Sequence, residues 1–334
     1  MATALKHFDE LEGGWGTLLL GNGASINICS DYSYASLYEK ADLTAAAQKL
    51  FAEFETANFE LVLERLDSAR RVNAALGAIQ AQQSSIDAEY AGIRNALFDA
   101  VHRTHVRYDE IPGQTFMDIA AELLRYDRVF TTNYDLLAYW SLQVSQRQDR
   151  FTDCFGRDAG HGGELTFNLT NMMDPGSRTQ LLYLHGGLHL WYDDRTGKTG
   201  KWARQYGHNL LDLEPRYLAH PQRRALLVSE GTTGDKQHVI SRSDYLSFAL
   251  RELTVDASDI VVFGTSFSDQ DQHIIDAVNS GPPRRIAVSI HKGGQSARRL
   301  EAFEAQTRER FENHTVDVFD AATHPLGMTH FKIR

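Results

Sequence analysis

From Ala225 to Asp320 the chain alternates short apolar runs with amphipathic stretches: ALLVSE, SDYLSFALREL, DIVVFGTS, DQDQHIIDAVN, RRIAVSI, SARRLEAFEAQTRERF and HTVDVFD. Strand, helix and strand in this rhythm predict βαβ crossovers, and therefore a parallel, doubly wound sheet. Three earlier runs extend it. TLLL at 17–20 meets Gly21 and Gly23 directly and reads as a strand buried on both faces; the apolar centre of DRVFTTNYD and the run QLLYLHGG (180–187) read as two more. The expected fold is an α/β, doubly wound, mostly parallel Rossmann-like sheet.

One stretch does not keep that rhythm. From about Leu37 to His105 the chain is Ala-rich and free of proline, and Phe51 with Phe54, Leu63 with Leu66, and Ile93 with Leu97 recur at helical spacings, with Asn58 and Ser84 as N-caps. The expected organisation is an α/β domain from 1–36 and 108–334, with 37–107 as a helical insertion packed on or beside it. Residues 151–178 read as a loop with one short strand, and 191–224, with DDRTGKTGKW, as a mobile loop.

Composition narrows the function classes. A formal charge of −10 argues against a protein whose main affinity is for a nucleic-acid backbone, because that affinity comes from Lys and Arg displacing counterions. Cys29 and Cys154 are the only cysteines, too few for a four-thiolate zinc site or a disulfide framework. The first residues lack a basic segment followed by an apolar core, and no run approaches ~18 apolar residues, so a cytoplasmic protein without membrane attachment is expected.

Ligands of open parallel sheets bind at the carboxyl ends of the strands. Four such ends are polar here: GNGAS (21–25), TTNYD (131–135), HGG (185–187) and GTSFSDQD (264–271). Gly21 and Gly23 can admit a pyrophosphate to backbone N–H groups, or simply make a turn. Asn133 offers both donor and acceptor and Asp135 can orient it, while either can instead cap a helix. His185 is an imidazole at the end of a buried strand, placed for general-base work or for a structural bond, whereas the second HGG, at His161, has no strand before it. Gly264, Thr265 and Ser266 can bond a ribose or phosphate, and Ser268 or Asp269 can cap the helix that follows. Asp269, Asp271 and His273 spell DxDxH, but they open a helix rather than alternate on a strand face, which disfavours a metal site.

In chain order these four ends resemble the sirtuin (SIR2) NAD-binding fold, and more closely its divergent bacterial SIR2-like branch, including the DUF4917 type. GNGAS is similar to that family's glycine turn with its trailing serine, TTNYD to its Thr-Gln-Asn-Ile-Asp, HG to its catalytic His-Gly and GTS to its Gly-Thr-Ser. The resemblance implies that Gly21, Gly23, Ala24 and Ser25 contact the NAD diphosphate, with Asn22 among the cofactor-binding residues. It assigns Asn133 and Asp135, beside Thr132, to the nicotinamide ribose and the reacting water, and His185 to the base. Gly264, Thr265 and Ser266 would line the adenosine half, with Asp269 or Asp271 adding a hydroxyl contact. Asn22 stands where deacylating sirtuins have Ala, and Thr132 where they have Gln. The paired-cysteine zinc module of the deacylases is missing, so no zinc is expected and protein deacylation is disfavoured. SIR2-like proteins of this kind resemble bacterial anti-phage effectors that hydrolyse NAD.

The expectation is hydrolysis of NAD⁺ to nicotinamide and ADP-ribose, by a homo-oligomer or with a partner ATPase or nucleic-acid-sensing protein, and without direct nucleic-acid binding. A non-catalytic NAD or ADP-ribose sensor is the alternative, and a metal-dependent nucleic-acid processing enzyme using Asp269, Asp271 and His273 comes third.

Overall fold

The computed structural model describes residues 5–77, 80–158, 163–168, 178–203, 213–228, 233–267 and 271–333. Numbered in chain order, β1 (Thr17–Leu20), β2 (Arg128–Thr131), β3 (Phe151–Thr152), β6 (Thr179–Tyr183), β10 (Ile260–Phe263), β11 (Arg285–Ile290) and β12 (Thr315–Asp320) form one sheet. Its order is β12-β11-β10-β1-β2-β6-β3 and every pairing is parallel. All residues of β1 and β10 are buried, as expected of central strands covered on both faces by helices. The chain leaves β1 toward β2 on one side and β10 toward β11 on the other. The crevice where ligands of such sheets bind therefore opens at the carboxyl ends of β1 and β10.

The amino ends of the central strands are pinned by charge. Asp256, fully buried, accepts from the Arg284 guanidinium at 2.8 Å, from Arg128 at 2.7 Å and from the Thr17 hydroxyl at 2.6 Å. Those groups stand at or just before the starts of β1, β2, β10 and β11, so one carboxylate aligns four strands.

Helix α1 (Asn22–Ile28) follows β1. The helical block then comprises α2 (Tyr34–Lys40), α3 (Ala45–Glu53), α4 (Phe59–Ala75) and α5 (Gln80–Thr104). Phe51, Phe59, Val62, Leu63, Ile93, Leu97, Ala100 and Val101 are buried in it, the apolar stripe that its periodicity predicts. The Asn58 side chain accepts from the Leu61 amide at the start of α4. Ser84, by contrast, is no cap: α5 begins at Gln80 and runs through it, because helix propensity there meets no breaker. Helices α6 (Gly113–Leu123), α7 (Leu137–Val144), α9 (Thr233–Arg242), α10 (Asp244–Val255), α11 (Gln272–Asn279) and α12 (Ala297–Arg310) complete the layers around the sheet. No helix among the described residues is long and apolar enough to cross a membrane.

A second, antiparallel sheet corrects three of the sequence expectations. It holds β4 (Phe155–Asp158), β5 (Glu164–Phe167), β7 (Gly186–Asp193), β8 (Thr199–Lys201) and β9 (Arg223–Leu227) in the order β4-β5-β8-β7-β9. The ALLVSE strand thus pairs antiparallel with β7 instead of joining the parallel sheet. The stretch 151–178 supplies three strands rather than one, with 159–162, which include His161, and 169–177 outside the described residues. Within 191–224, the described part contains the end of β7, β8, the helix α8 (Glu214–Ala219) and the start of β9, not a loop. Aromatic packing holds the described part of this polar stretch. The Arg223 guanidinium lies 3.9 Å from the Trp191 ring centroid and bonds Glu164 at 2.7 Å, and Trp202 packs on Trp191 and Tyr217.

Candidate functional site

The loops after β1 and β10 approach so closely that only glycine fits between them. The Gly23 amide donates to the Gly264 carbonyl at 2.7 Å, and a Cβ on Gly23 would stand 2.8 Å from the Gly264 Cα. Gly264 itself has φ +78°, and its Cβ would meet the Ala24 nitrogen at 2.4 Å. Loop packing accounts for Gly21, Gly23 and Gly264.

Beside this contact lies a cavity of about 240 Å³. Of the residues singled out from the sequence, Asn22, Thr132, Asn133, Asp135, His185, Gly264, Thr265, Ser266 and Asp271 line it. Gly21, Gly23, Ala24 and Ser25 do not, and Asp269 lies outside the described residues. The helical block closes the opposite side with Leu37, Asn58, Leu97 and Val101. Tyr32 and Tyr134, which sequence reasoning passed over, also line it.

Ser25, Asn133 and Asp135 form one chain of hydrogen bonds. The Ser25 hydroxyl donates to Asp135 Oδ2 at 2.5 Å and accepts from Asn133 Nδ2 at 2.9 Å; the same Nδ2 donates to the Gly21 carbonyl at 3.1 Å. A carbonyl can only accept, so the amide group of Asn133 is fixed in orientation. Its Oδ1 is buried and has no hydrogen-bond partner among the described residues. Asp135 also accepts from the Leu137 amide at 2.8 Å, capping the entry to α7. Burial pushes its carboxyl above the ordinary range, and the bonds from Ser25 and Leu137 oppose that shift. Ser25 is therefore a buried brace rather than a wall of the cavity, and Asp135 serves both as brace and as lining.

His185 follows β6 in a two-residue link to β7 and is buried. Its Nε2 lies 2.8 Å from Nε2 of His273, on α11, with ring centroids 4.9 Å apart and planes 26° from parallel. Burial, reinforced by Lys236 and His273, holds the His185 imidazole well below the ordinary histidine range, so it is neutral at pH 7 and carries one proton on its two ring nitrogens. His273 thus has a place that DxDxH does not describe. Its signal in the sequence was its position ahead of Ile274 and Ile275 on the buried face of α11. Among the described residues no three His, Cys, Asp or Glu side chains gather in a group that could hold a metal ion.

A third histidine ties the helical block to this site. His105 Nε2 accepts from the Leu136 amide at 2.8 Å, so its proton is on Nδ1, 2.8 Å from the Val106 carbonyl. Tyr32, whose carbonyl accepts from Asn22 Nδ2 at 2.9 Å, lies edge-on to the same imidazole.

The arrangement offers a fixed amide acceptor, a neutral imidazole and the hydroxyls of Thr132, Thr265 and Ser266 around one cavity at the crevice of a doubly wound sheet. No curated protein matches the sequence. A family model described as a domain of unknown function (DUF4917) matches residues 18–326, from β1 to the turns beyond β12, and the chain belongs to that family.

Proposed function

We propose that this cavity binds NAD⁺ and hydrolyses its N-glycosidic bond, releasing nicotinamide and ADP-ribose. The observation that carries the reading is the meeting of Asn133 and His185 at one cavity, in the crevice where such sheets bind nucleotides. The resemblance of the four strand ends to the bacterial SIR2-like branch supports it. The nicotinamide of NAD⁺ is already cationic and leaves neutral, taking the electron pair of its bond to the ribose C1′, so little acid assistance is needed. The remaining difficulty is placing a water against an electron-poor ribose. Asn133 Oδ1, with its amide group locked by Gly21 and Ser25, is an acceptor ready for a ribose hydroxyl or for that water. As the water oxygen bonds to C1′, its proton passes to the neutral His185. Thr265 and Ser266 offer hydroxyls to the adenosine half.

The cavity is smaller than the ~300–1,000 Å³ usual for small-molecule sites, so a dinucleotide enters only as the wall made by Leu37, Asn58, Leu97 and Val101 moves outward. That fits the gating which a cytoplasmic NAD⁺ hydrolase needs if it is not to kill its own cell. On this reading the chain is a regulated anti-phage effector, working as a homo-oligomer or with an ATPase or nucleic-acid-sensing partner.

The test is chromatographic. The purified chain, alone and with candidate activators, is incubated with NAD⁺ beside Asn133→Ala and His185→Ala. Nicotinamide and ADP-ribose appear with wild type and fall ~10²–10⁴-fold with either variant. Intact NAD⁺ under every condition sinks the hydrolase, and tight binding without turnover identifies a sensor instead.

A further inference from the structure

His185 and His273 stand 88 positions apart in sequence, yet the crossover from β10 into α11 sets their Nε2 atoms 2.8 Å apart. Two neutral imidazoles at that distance share one proton: one Nε2 donates and the other accepts. The direction of that bond decides what His185 can do. With the proton on His185 Nε2, its Nδ1 bears the lone pair. With the proton on His273 Nε2, His185 must carry its own proton on Nδ1 and has no basic nitrogen left.

We propose that His273 is a positioning residue that accepts the Nε2–H of His185 and thereby holds Nδ1 of His185 as the site's basic nitrogen. The pair is built for this. Both residues are at least 97 % buried, and with Nε2 atoms 2.8 Å and ring centroids 4.9 Å apart the two rings meet edge to edge, with planes 26° from parallel, which is the geometry of an N–H···N bond lying near both ring planes. The groups facing His185 come from several elements. Lys236 of α9 is fully buried and acts on His185 electrostatically, against protonation of the imidazole; Tyr134, from the loop after β2, lies 6.5 Å away ring to ring; Asp135 and Asp271 line the same cavity. A cationic His185 is thus disfavoured, and the neutral form needs its tautomer chosen. The His185 Nε2 contact to His273 Nε2 is the hydrogen bond that can choose it.

This deepens the hydrolase reading and rests on it for the kinetic consequence alone; the tautomer is measured without any substrate. Full-length protein labelled with [¹⁵N]histidine is examined by long-range ¹H–¹⁵N correlation at neutral pH, with His185→Gln and His273→Gln assigning the two rings. The expected spectrum has His185 protonated at Nε2 and His273 at Nδ1. His273→Gln, whose side-chain oxygen can accept the same proton, keeps the His185 tautomer; His273→Ala loses it. In parallel, kcat for NAD⁺ falls roughly 10²-fold in His273→Ala with KM little changed, and His273→Gln recovers much of it. Finding His185 protonated at Nδ1 in the wild type, or its tautomer unaltered in His273→Ala, overturns the proposal. If His273→Ala does not fold, the wild-type and Gln spectra decide. A wild type that never hydrolyses NAD⁺ but shows the expected tautomers refutes the hydrolase and leaves the pairing standing.

Discussion

Acidification provides a quantitative test that does not depend on function, because His105 is buried in its neutral form. It sits edge-on to Trp140, with ring centroids 4.7 Å apart, and both ring nitrogens are engaged by backbone groups. Burial lowers its pKa from the ordinary 6.5 to about 4, against the opposing bond to the Val106 carbonyl and with help from His102. Above pH 6.5 the imidazole is neutral whether the chain is folded or not. Between 6.5 and 4 the unfolded chain takes up a proton that the folded chain refuses, so stability drops as pH falls through that window and the loss levels off below it. At pH 5 these values give a loss of about 2 kcal/mol from this one residue. Urea unfolding followed by tryptophan fluorescence at pH 7.5 and pH 5.0 measures it. Other buried histidines contribute equally to wild type and to His105→Asn, so the difference between the two proteins isolates His105. The variant is less stable at pH 7.5 but loses ~2 kcal/mol less on acidification. Identical pH dependence in the two proteins would refute the neutral, backbone-bonded state assigned to this ring.

Ser25→Ala removes the donor to Asp135 and one acceptor of Asn133, and is expected to cost ~1.5–3 kcal/mol in chemical denaturation together with a drop in kcat; a protein as stable and active as wild type contradicts the brace. Gly264→Ala meets both a left-handed φ and the Ala24 backbone, so its melting temperature should fall by an amount corresponding to more than ~1 kcal/mol. Asp256→Ala strands the buried Arg284 and should cost ~3–5 kcal/mol, insensitive to added salt; a change under ~1 kcal/mol means that the pair is hydrated. If His185 is the base, the acid limb of the pH–kcat profile lies below pH 6.5, since its folded-state pKa is depressed and the neutral form persists on acidification; a limb at or above 6.5 assigns the base elsewhere.

The parallel sheet was legible in sequence because its central strands are buried on both faces. IVVF and TLLL are continuous apolar runs that end in turn residues, and no solvent-facing alternation blurs them. The antiparallel sheet was not legible. FGRD, ELTF and TGK carry charged or small residues within four positions, and what holds them is contact between Trp191, Trp202 and Arg223, distant in sequence. At the site the residue types were readable and their directions were not. In GNGAS, the asparagine faces the cavity, while the glycines face another loop and the serine faces a carboxylate. Nothing local distinguishes these outcomes, because they depend on how close β1 and β10 bring two turns. His273 was visible as a member of a short acidic motif and, ahead of Ile274 and Ile275, on the buried face of a helix, but its neighbour His185 lies far back in the chain.

His185 and Leu184 form the two-residue link from β6 of the large sheet to β7 of the small one. The His185 carbonyl accepts from Val228 just beyond β9, while the Leu184 amide donates to Thr131 at the end of β2. Gly186, next in line, has φ +79°, and a Cβ there would lie 1.9 Å from the Leu226 carbonyl oxygen. The backbone that carries the imidazole is thus held from both sides by different layers of the molecule. A strained substitution at Gly186 therefore acts next to His185, which ties the small sheet to the base of the proposed reaction although, among the described residues, the strands of that sheet contribute no side chain to the cavity.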